Sequence, residues 1–323
     1  MARKHFVGVD VGGTKVVAAL VNSKGRIFSR RKEATPRKGG PRPIVRLIER
    51  LIREAASERG LKPGDLSGVG IGVPGIVAPD GRSVLVAPNV GLAGYALARE
   101  LERRLGVCVT LGNDVNVGVV GEHWLGAARG VDSVVGLFPG TGVGGGVIAG
   151  GRLLVGANGA AAELGHILME PGGHLCGCGN RGCLESLASR TAIERDLKRA
   201  LRAGERSILT ELVGRTPKVI KSKALAKALK RKDPLVTRVL RRAGEVLGSA
   251  CVSLRHCFDP QLFILGGGVI EACGGFLLPI VQHAIDHDPF FRKVGRCRVV
   301  CARLGDDAVV LGAVALARQG SGR

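Results

Sequence analysis

Apolar and polar positions fall into short blocks along this chain, and the period of the blocks changes from two to about 3.6 and back. From Phe6, "FVGVDVGGTKVVAALVNSKGRIFSRRKEA" reads as strand, Gly-Gly turn, strand, a turn at "NSKG", and a third strand. "IVRLIERLIREAASERG" places apolar residues at 44, 45, 47, 48, 51 and 52, the stripe of an amphipathic helix that stops at Gly60. "LSGVGIGVPGIV" and "GVCVTLGND" read as buried strands, and "VNVGVVGEHWLGAAR" as a helix. "SVVGLFPGTGVGGGVIAGGRLLVG" then repeats the opening plan: a strand at 134–138, a Gly-rich turn, a strand at 146–149, "GG", and a strand at 153–155. Residues 186–260 are mostly helical; a buried strand "QLFILGGG" and an apolar segment "AVVLGAVALAR" follow, and the polar tail "QGSGR" frays. One structural phrase at the head of each half implies a duplicated α/β fold with two related lobes.

Composition sharpens this picture. A chain of 323 residues with 45% apolar content buries a large core. Glycine punctuates every long apolar run, which argues against a membrane span. The 51 glycines cluster in short loops between apolar blocks, the pattern of backbone brought close to a ligand. Forty-eight Lys and Arg against 27 Asp and Glu give a net charge of +21. Aromatics are only 3%, so stacking platforms for bases are scarce and no nucleic-acid partner is expected. The densest basic run, 218–242, carries Leu225, Leu229, Leu235, Val239 and Leu240 at helical spacing, which reads as a solvated helix face. A positive field of this kind gathers an anionic cosubstrate such as a nucleotide triphosphate.

The chemistry concentrates in "ELGHILMEPGGHLCGCGNRGCLE", from Glu163 to Glu185. His166, Cys176, Cys178 and Cys183 follow the order His-x9-Cys-x-Cys-x4-Cys, the ligand set of a closed tetrahedral zinc site. Glycines 177, 179 and 182 allow the backbone to curl around one point. Glu163 and Glu185 flank a site that already has four better ligands, so they are available for another task. The nine cysteines are odd in number and the first residues run straight into a strand, which points to a reducing cytoplasm rather than a disulfide framework. Cys108, Cys251, Cys257, Cys273, Cys297 and Cys301 are expected to be small buried hydrophobes.

Three Gly-rich turns carry the second signal. "DVGGTK" lies between two strands, whereas a Walker loop or dinucleotide fingerprint requires a helix after it. Such a hairpin still presents backbone N–H groups to phosphate, with Lys15 supplying charge, Thr14 a hydroxyl and Asp10 a carboxylate for the metal side. "GTGVGGG" at 140–146 and "LGGGV" at 265–269 repeat the device, and together they imply a nucleotide held between the lobes. In "LGNDVN", Asn113 and Asp114 sit where a strand meets a helix. Capping alone explains them, yet an ionised aspartate there also suits a proton acceptor for a hydroxyl nucleophile. Asn89, in "APNVGL", reads by itself as a turn residue.

With these residues in place the chain resembles the ROK family of sugar kinases (repressor, open reading frame, kinase). The resemblance runs from about Val7 to Arg318 through "DVGGTK", "GVPG", "NDVN", "GTGVGGG", "ELGH", "CGCGNRGCLE" and "LGGGV" in the family's order. It implies a two-lobed actin/hexokinase/Hsp70-like (ribonuclease H-like) fold with an interlobe active-site cleft. One lobe would span 1–115, completed by a C-terminal helix in 306–323, and the other 116–305. By the same resemblance Asp114 is the catalytic base, and Asn89, Asn113, Glu163, His166 and Glu185 hold the sugar beside Gly75. His166, Cys176, Cys178 and Cys183 hold a structural zinc. Asp10, Gly12, Gly13, Thr14 and Lys15, with Thr141, Gly142, Gly266 and Gly267, surround magnesium ATP. Dimers or tetramers, a cytoplasmic location and no membrane partner are implied too.

"NDVNVGVVGEHWLGAARG" is similar to the ATP-dependent glucokinase branch, which phosphorylates the 6-hydroxyl of glucose. N-acylmannosamine kinase and fructokinase are the alternatives within the family. A sugar-sensing transcriptional regulator is the alternative of another class; only nine residues precede Asp10, too few for the winged-helix domain such regulators carry.

Overall fold

A computed structural model describes residues 4–214 and 217–320 of the chain. Among them, the described residues up to 130, with 153–162 and those from 303 onward, form one compact unit, and those within 131–152 and 163–302 form the second. The first begins with β1 (His5–Val11), β2 (Lys15–Asn22), β3 (Ile27–Ala34), α1 (Pro41–Ser57) and β4 (Gly68–Val73). The short β5 (Ile76–Val77) and β6 (Val84–Val86), then α2 (Leu97–Leu105), β7 (Val109–Asn113) and α3 (Asp114–Leu125) follow. The second is built on β8 (Val134–Pro139) and β9 (Val143–Ala149), with the two-residue β10 (Arg152–Leu153) at its edge. Helices α4 (Leu184–Ala188), α5 (Arg190–Arg202), α6 (Leu209–Val213), α7 (Ser222–Lys230) and α8 (Pro234–Phe258) come next. Then come β11 (Leu262–Leu265), α9 (Gly268–Asp286) and β12 (Arg298–Cys301), before α10 (Ala308–Gly320) returns to the first unit.

The sheet orders are β3-β2-β1-β4-β7 and β10-β9-β8-β11-β12. In each, an antiparallel hairpin leads into two further strands parallel to its first strand. The duplication read from the two Gly-rich phrases is therefore present as a repeated topology.

Both faces of the first sheet are apolar, as expected where helices cover both. Val7, Val9, Val11, Val16, Ala18 and Leu20 point into the core formed with α1 and α2. Their neighbours Phe6, Val17, Ala19 and Val21 point to α10. On that side α10 comes so near that a Cβ on Gly70 would stand 1.8 Å from the Ala313 carbonyl oxygen. Helix α3 meets α10 in the same way: a Cβ on Gly312 would lie 1.8 Å from the Val117 oxygen, and one on Gly121 would lie 2.2 Å from the Ala308 oxygen. This backbone-to-backbone contact puts α3 in the first unit, so the first stretch of that unit ends at Gly130 rather than at the expected 115. The returning segment starts at Arg303, not 306, and 153–162 also belongs to the first unit.

Three local expectations are corrected. β9 begins at Val143 rather than at Gly146, so Gly144 and Gly145 lie inside the strand rather than in the turn before it. The turn expected over 265–269 ends at Gly267, the N-cap of a 19-residue helix, α9, which the apolar pattern did not separate from its flanks. Gly274, Gly275 and Pro279 interrupt its periodicity, yet Val269, Ile270, Cys273, Leu277, Val281 and Ile285 still form one buried stripe. By length and composition α9 could cross a membrane. Within the second unit α9 packs against α8, where Gly244 faces Leu277 and Ile280 and Gly248 faces Val281 and Ala284, as in a core helix. Third, the tail does not fray from Gln319, since α10 continues to Gly320; residues 321–323 lie outside the described residues.

Candidate active site

In the first unit the parallel strands β1, β4 and β7 deliver their carboxyl ends side by side, with Asp10 opposite Gly72 and Val73 opposite Asn113. Ligand groups in open α/β sheets collect at such ends. Asn113 caps α3: its Oδ1 accepts from the N–H groups of Val115 and Asn116 at 2.9 and 3.0 Å. Its Nδ2 donates to the Gly75 carbonyl at 2.9 Å, tying the "GVPG" turn to the helix start. Gly75 holds φ at 102°, and a Cβ there would strike the Val86 oxygen at 1.9 Å, so only glycine makes this turn.

Asp114 is the first residue of α3, and its Oδ1 accepts the Val115 N–H at 2.9 Å. Burial raises its pKa above the ordinary carboxylate value, while the N–H groups of Val115 and of Asp114 itself oppose the rise. The helix-start N–H groups favour the ionised form, as the position suggests, and desolvation acts against them. Asp10 is lifted further, to about 6, by burial and the nearby Asp114 charge, with Lys15 pulling it down and Asp306 adding to the rise.

Gly12 and Lys15 close the β1–β2 turn, with the Gly12 N–H donating to the Lys15 oxygen at 2.8 Å. Thr14 is exposed at its tip. Gly13 adjoins Asn89, whose main-chain oxygen would lie 3.3 Å from a Cβ at that position. Gly13 and Asn89 line a pocket of about 600 Å³ together with Thr35, Arg37 and Ala93.

Sequence reasoning did not find two participants here. The Thr35 hydroxyl donates to the Gly12 oxygen at 2.6 Å and so fixes the turn. Asp306 lies 3.5 Å from the Lys15 ammonium, although 291 positions separate them in sequence. Neither stands in a motif: Thr35 follows the polar end of β3, and Asp306 looks like an acidic lead-in to a helix.

In the second unit the β8–β9 turn carries Gly140, Thr141 and Gly142. Gly267, with φ 80°, comes within reach of the turn, since its Cβ would lie 2.9 Å from the Pro139 oxygen and 3.5 Å from the Gly140 nitrogen. Gly266 precedes it at the end of β11, with its N–H bonded to the Leu137 oxygen at 3.0 Å. Arg190 and Thr191 clamp the turn, the first donating to the Thr141 hydroxyl at 3.1 Å and the second to the Thr141 carbonyl at 2.7 Å. Both were missed, because as the first residues of α5 they carry no spacing signal.

Glu163, Leu164, Gly165 and His166 form a short 3₁₀ turn pressed onto β9: Leu164 fills the space a Cβ on Gly145 would need, and Gly165 meets the Val143 oxygen. The His166 N–H donates to the Glu163 carbonyl at 3.0 Å. His166, Cys176, Cys178 and Cys183 place their ligand atoms within 4.8 Å of one another. The His166 Nδ1–Cys176 Sγ distance is 3.6 Å and the Cys178–Cys183 Sγ distance 3.7 Å. Tetrahedral zinc bonds of about 2.3 Å to sulfur and about 2.05 Å to nitrogen require about 3.8 Å between sulfurs and about 3.6 Å from sulfur to nitrogen. The donor set fits the ion. Gly179 and Gly182 supply the positive φ angles of the loop; Gly177 does not need one.

Burial pushes the Cys176 thiol up to about 12, while Cys178 is lowered by the N–H of Asn180. Of the six cysteines outside the cluster, Cys251, Cys273 and Cys297 are buried as expected, but Cys108, Cys257 and Cys301 are exposed. Glu185, the second residue of α4, connects the cluster to the turn. Its Oε1 accepts from Cys176 Sγ at 3.4 Å and its Oε2 from the Val143 N–H at 2.9 Å.

Two copies of one five-stranded sheet, Gly-rich hairpins at the head of each, and an acidic group at the parallel strand ends define an actin/hexokinase/Hsp70-like fold of the sugar-kinase class. The chain belongs to the ROK family, which it matches over residues 6–320. It is 36% identical over 321 residues to the glucokinase of Thermotoga maritima, covering 99% of both chains. Among solved structures it is similar to a ROK family glucokinase from Streptomyces griseus in complex with glucose and AMPPNP, at 37% identity and a TM-score of 0.81, covering 98% of this chain and all of that one. Similarity to the xylose repressor of Caldicellulosiruptor bescii is lower, 28%, and spans 77% of that protein.

Proposed function

We propose that this chain is an ATP-dependent hexose kinase, a glucokinase that transfers the γ-phosphoryl group of ATP to the 6-hydroxyl of glucose. The observation that carries the reading is Asp114: a half-buried carboxylate with raised basicity, at a helix start, in a chain alike over nearly its whole length to glucokinases. Asp114 accepts the proton of the attacking hydroxyl. Phosphoryl transfer has a loose transition state, so positioning supplies most of the acceleration and the base adds a factor of about 10²–10⁴.

Asn89, Asn113, Glu163, His166 and Glu185 bind the sugar hydroxyls, with the Gly75 turn beside them. Asn113 suits this work because Gly75, Val115 and Asn116 already hold its amide in place, so little entropy is lost on binding. His166 can serve twice: Nδ1 faces the sulfur cluster, leaving Nε2 to donate to a hydroxyl. A zinc ion held by His166, Cys176, Cys178 and Cys183 is structural, because four protein ligands leave no open position. It fixes the loop that ends in Glu185.

Gly12, Gly13, Thr14 and Lys15, with Thr141, Gly142, Gly266 and Gly267, receive the nucleotide phosphates on backbone N–H groups and the Lys15 ammonium. Asp10 would serve the magnesium brought with ATP, which would supply charge neutralisation on the phosphates. The protein acts as a homodimer or homotetramer.

ADP release measured by enzyme coupling against a panel of hexoses and N-acetylated hexosamines tests the assignment. Glucose should give the highest kcat/KM. Preference for N-acetylmannosamine or fructose would move the chain to a sister activity, and no turnover with any sugar would favour a sugar-sensing regulator.

A further inference from the structure

One cavity of the second unit takes no part in the chemistry above. It has a volume of about 850 Å³ and lies between α7, the start of α8 and the first turns of α9. Leu229, Pro234, Cys273 and Phe276 give it an apolar floor, and Lys230, Lys232, Arg238 and Arg241 stand around it. Neither the turn at 140–142, nor Gly266, Gly267 or Glu185, lines it.

The charges are unbalanced. Arg238 is paired with Glu205 at 2.6 Å. Among the described residues no carboxylate pairs with Lys230, Lys232 or Arg241. The Arg241 guanidinium instead lies 5.7 Å from the centre of the Phe276 ring. A solvated helix face needs no cavity beneath its cations, so the reading of 218–242 as simply solvated leaves this arrangement unexplained. The volume matches a small organic ligand, and an apolar floor with a few convergent polar groups is the usual make-up of such a site.

We infer that this pocket binds an amphipathic organic anion, with its aromatic or aliphatic body on Leu229 and Phe276 and its acidic group among Lys230, Lys232 and Arg241. Charge complementarity selects the anionic end, and the ring–guanidinium pair offers a flat body both an apolar face and a cationic partner. A free sugar lacks both the apolar body and the charge. Gly275 provides an independent handle. A Cβ placed on it meets nothing within 4 Å, and its φ lies outside the left-handed region, so a larger side chain there enters the cavity without backbone strain.

Titration of the full-length protein with 1-anilinonaphthalene-8-sulfonate, followed by fluorescence, tests the inference. Saturable binding at one site per chain is expected, and saturating glucose with magnesium AMPPNP should leave it unchanged. Arg241→Glu and Lys230→Glu should each weaken it about tenfold or more, with glucose phosphorylation unaltered. Gly275→Leu should abolish it while the unfolding temperature holds or rises, since leucine replaces a helical glycine. Equal affinity in the charge-reversed or Gly275→Leu proteins would overturn the inference. So would displacement by the nucleotide, which would make the pocket part of the cosubstrate's own site. Affinity that falls as the protein self-associates would give the pocket to a second copy of the chain instead.

Discussion

Glu185 and Val143 are joined by a 2.9 Å hydrogen bond from the Val143 N–H to the carboxylate, so one side chain spans from the thiol–imidazole cluster to the end of the Gly-rich β8–β9 turn. The contact is possible because position 142 is glycine: a Cβ there would fall 2.1 Å from Glu185 Oε2. Gly142→Ala tests the link without straining the main chain, since the φ of Gly142 is not in the left-handed region. The methyl group should push the carboxylate aside at a stability cost near that of one hydrogen bond, about 1 kcal/mol. KM for glucose should rise by about tenfold or more, the equivalent of about 1.4 kcal/mol of binding. Steady-state kinetics beside a thermal melt would read both, and an unchanged KM would separate Glu185 from sugar binding.

Asp114→Asn keeps the shape of the side chain and removes its ability to accept a proton. Turnover should fall by about 10²–10⁴. The melting temperature should hold or rise, because a carboxylate whose pKa is raised by burial is charged at the expense of the fold. Turnover within a few-fold of the parent protein would transfer the role of base elsewhere.

The pH dependence should show two opposite signs in one window. Asp10 titrates at about 6 in the folded protein against an ordinary 3.8. Its folded pKa is raised, so the folded state holds the proton more tightly. Its contribution to stability is therefore favourable at low pH and is lost as pH rises from 3.8 through about 6. Activity needs the ionised form near magnesium, so kcat/KM should fall as pH drops below about 6. Bound magnesium ATP favours the carboxylate, so the acid limb of kcat should lie lower than that of kcat/KM. An Asp10→Asn protein, inactive or not, should lose the stability change over this range; a melt series from pH 4 to 7 that is unaffected by the substitution would remove Asp10 as its source.

Much of this was legible in the chain because local chemistry encodes it. The hairpins of both sheets follow from Gly-rich turns between β-branched runs, and the cluster at His166, Cys176, Cys178 and Cys183 from ligand type and spacing. What was not legible depends on tertiary contact. Helix α9 hid behind its own glycines, two of which, at 274 and 275, break the apolar period. The place of α3 depends on Gly121 and Gly312, whose pairing only the packed structure reveals. Asp306 reaches Lys15 because α10 returns to the first sheet, a long-range event with no trace in either segment. For Asp114 the helix start is visible in sequence, whereas the desolvation that raises its pKa is not.

The thiol cluster yields the last prediction. Cys178 is exposed, makes no bond to Glu185, and approaches Cys183 at 3.7 Å. Cys178→Ser should therefore disturb sugar binding only through the metal. Loss of one equivalent of zinc per chain is expected by elemental analysis, along with a rise of about tenfold or more in KM for glucose, equivalent to about 1.4 kcal/mol of binding. Treatment of the parent protein with a chelator should reproduce the effect, and added zinc should reverse it in the parent but not in the variant. Cys108→Ser, another exposed thiol in the first unit, serves as the control and should change neither zinc content nor KM. A zinc-free Cys178→Ser protein with parental KM would show that the loop keeps Glu185 and His166 in place by its backbone hydrogen bonds alone, such as Cys176 N–H to the Asn180 oxygen at 2.8 Å.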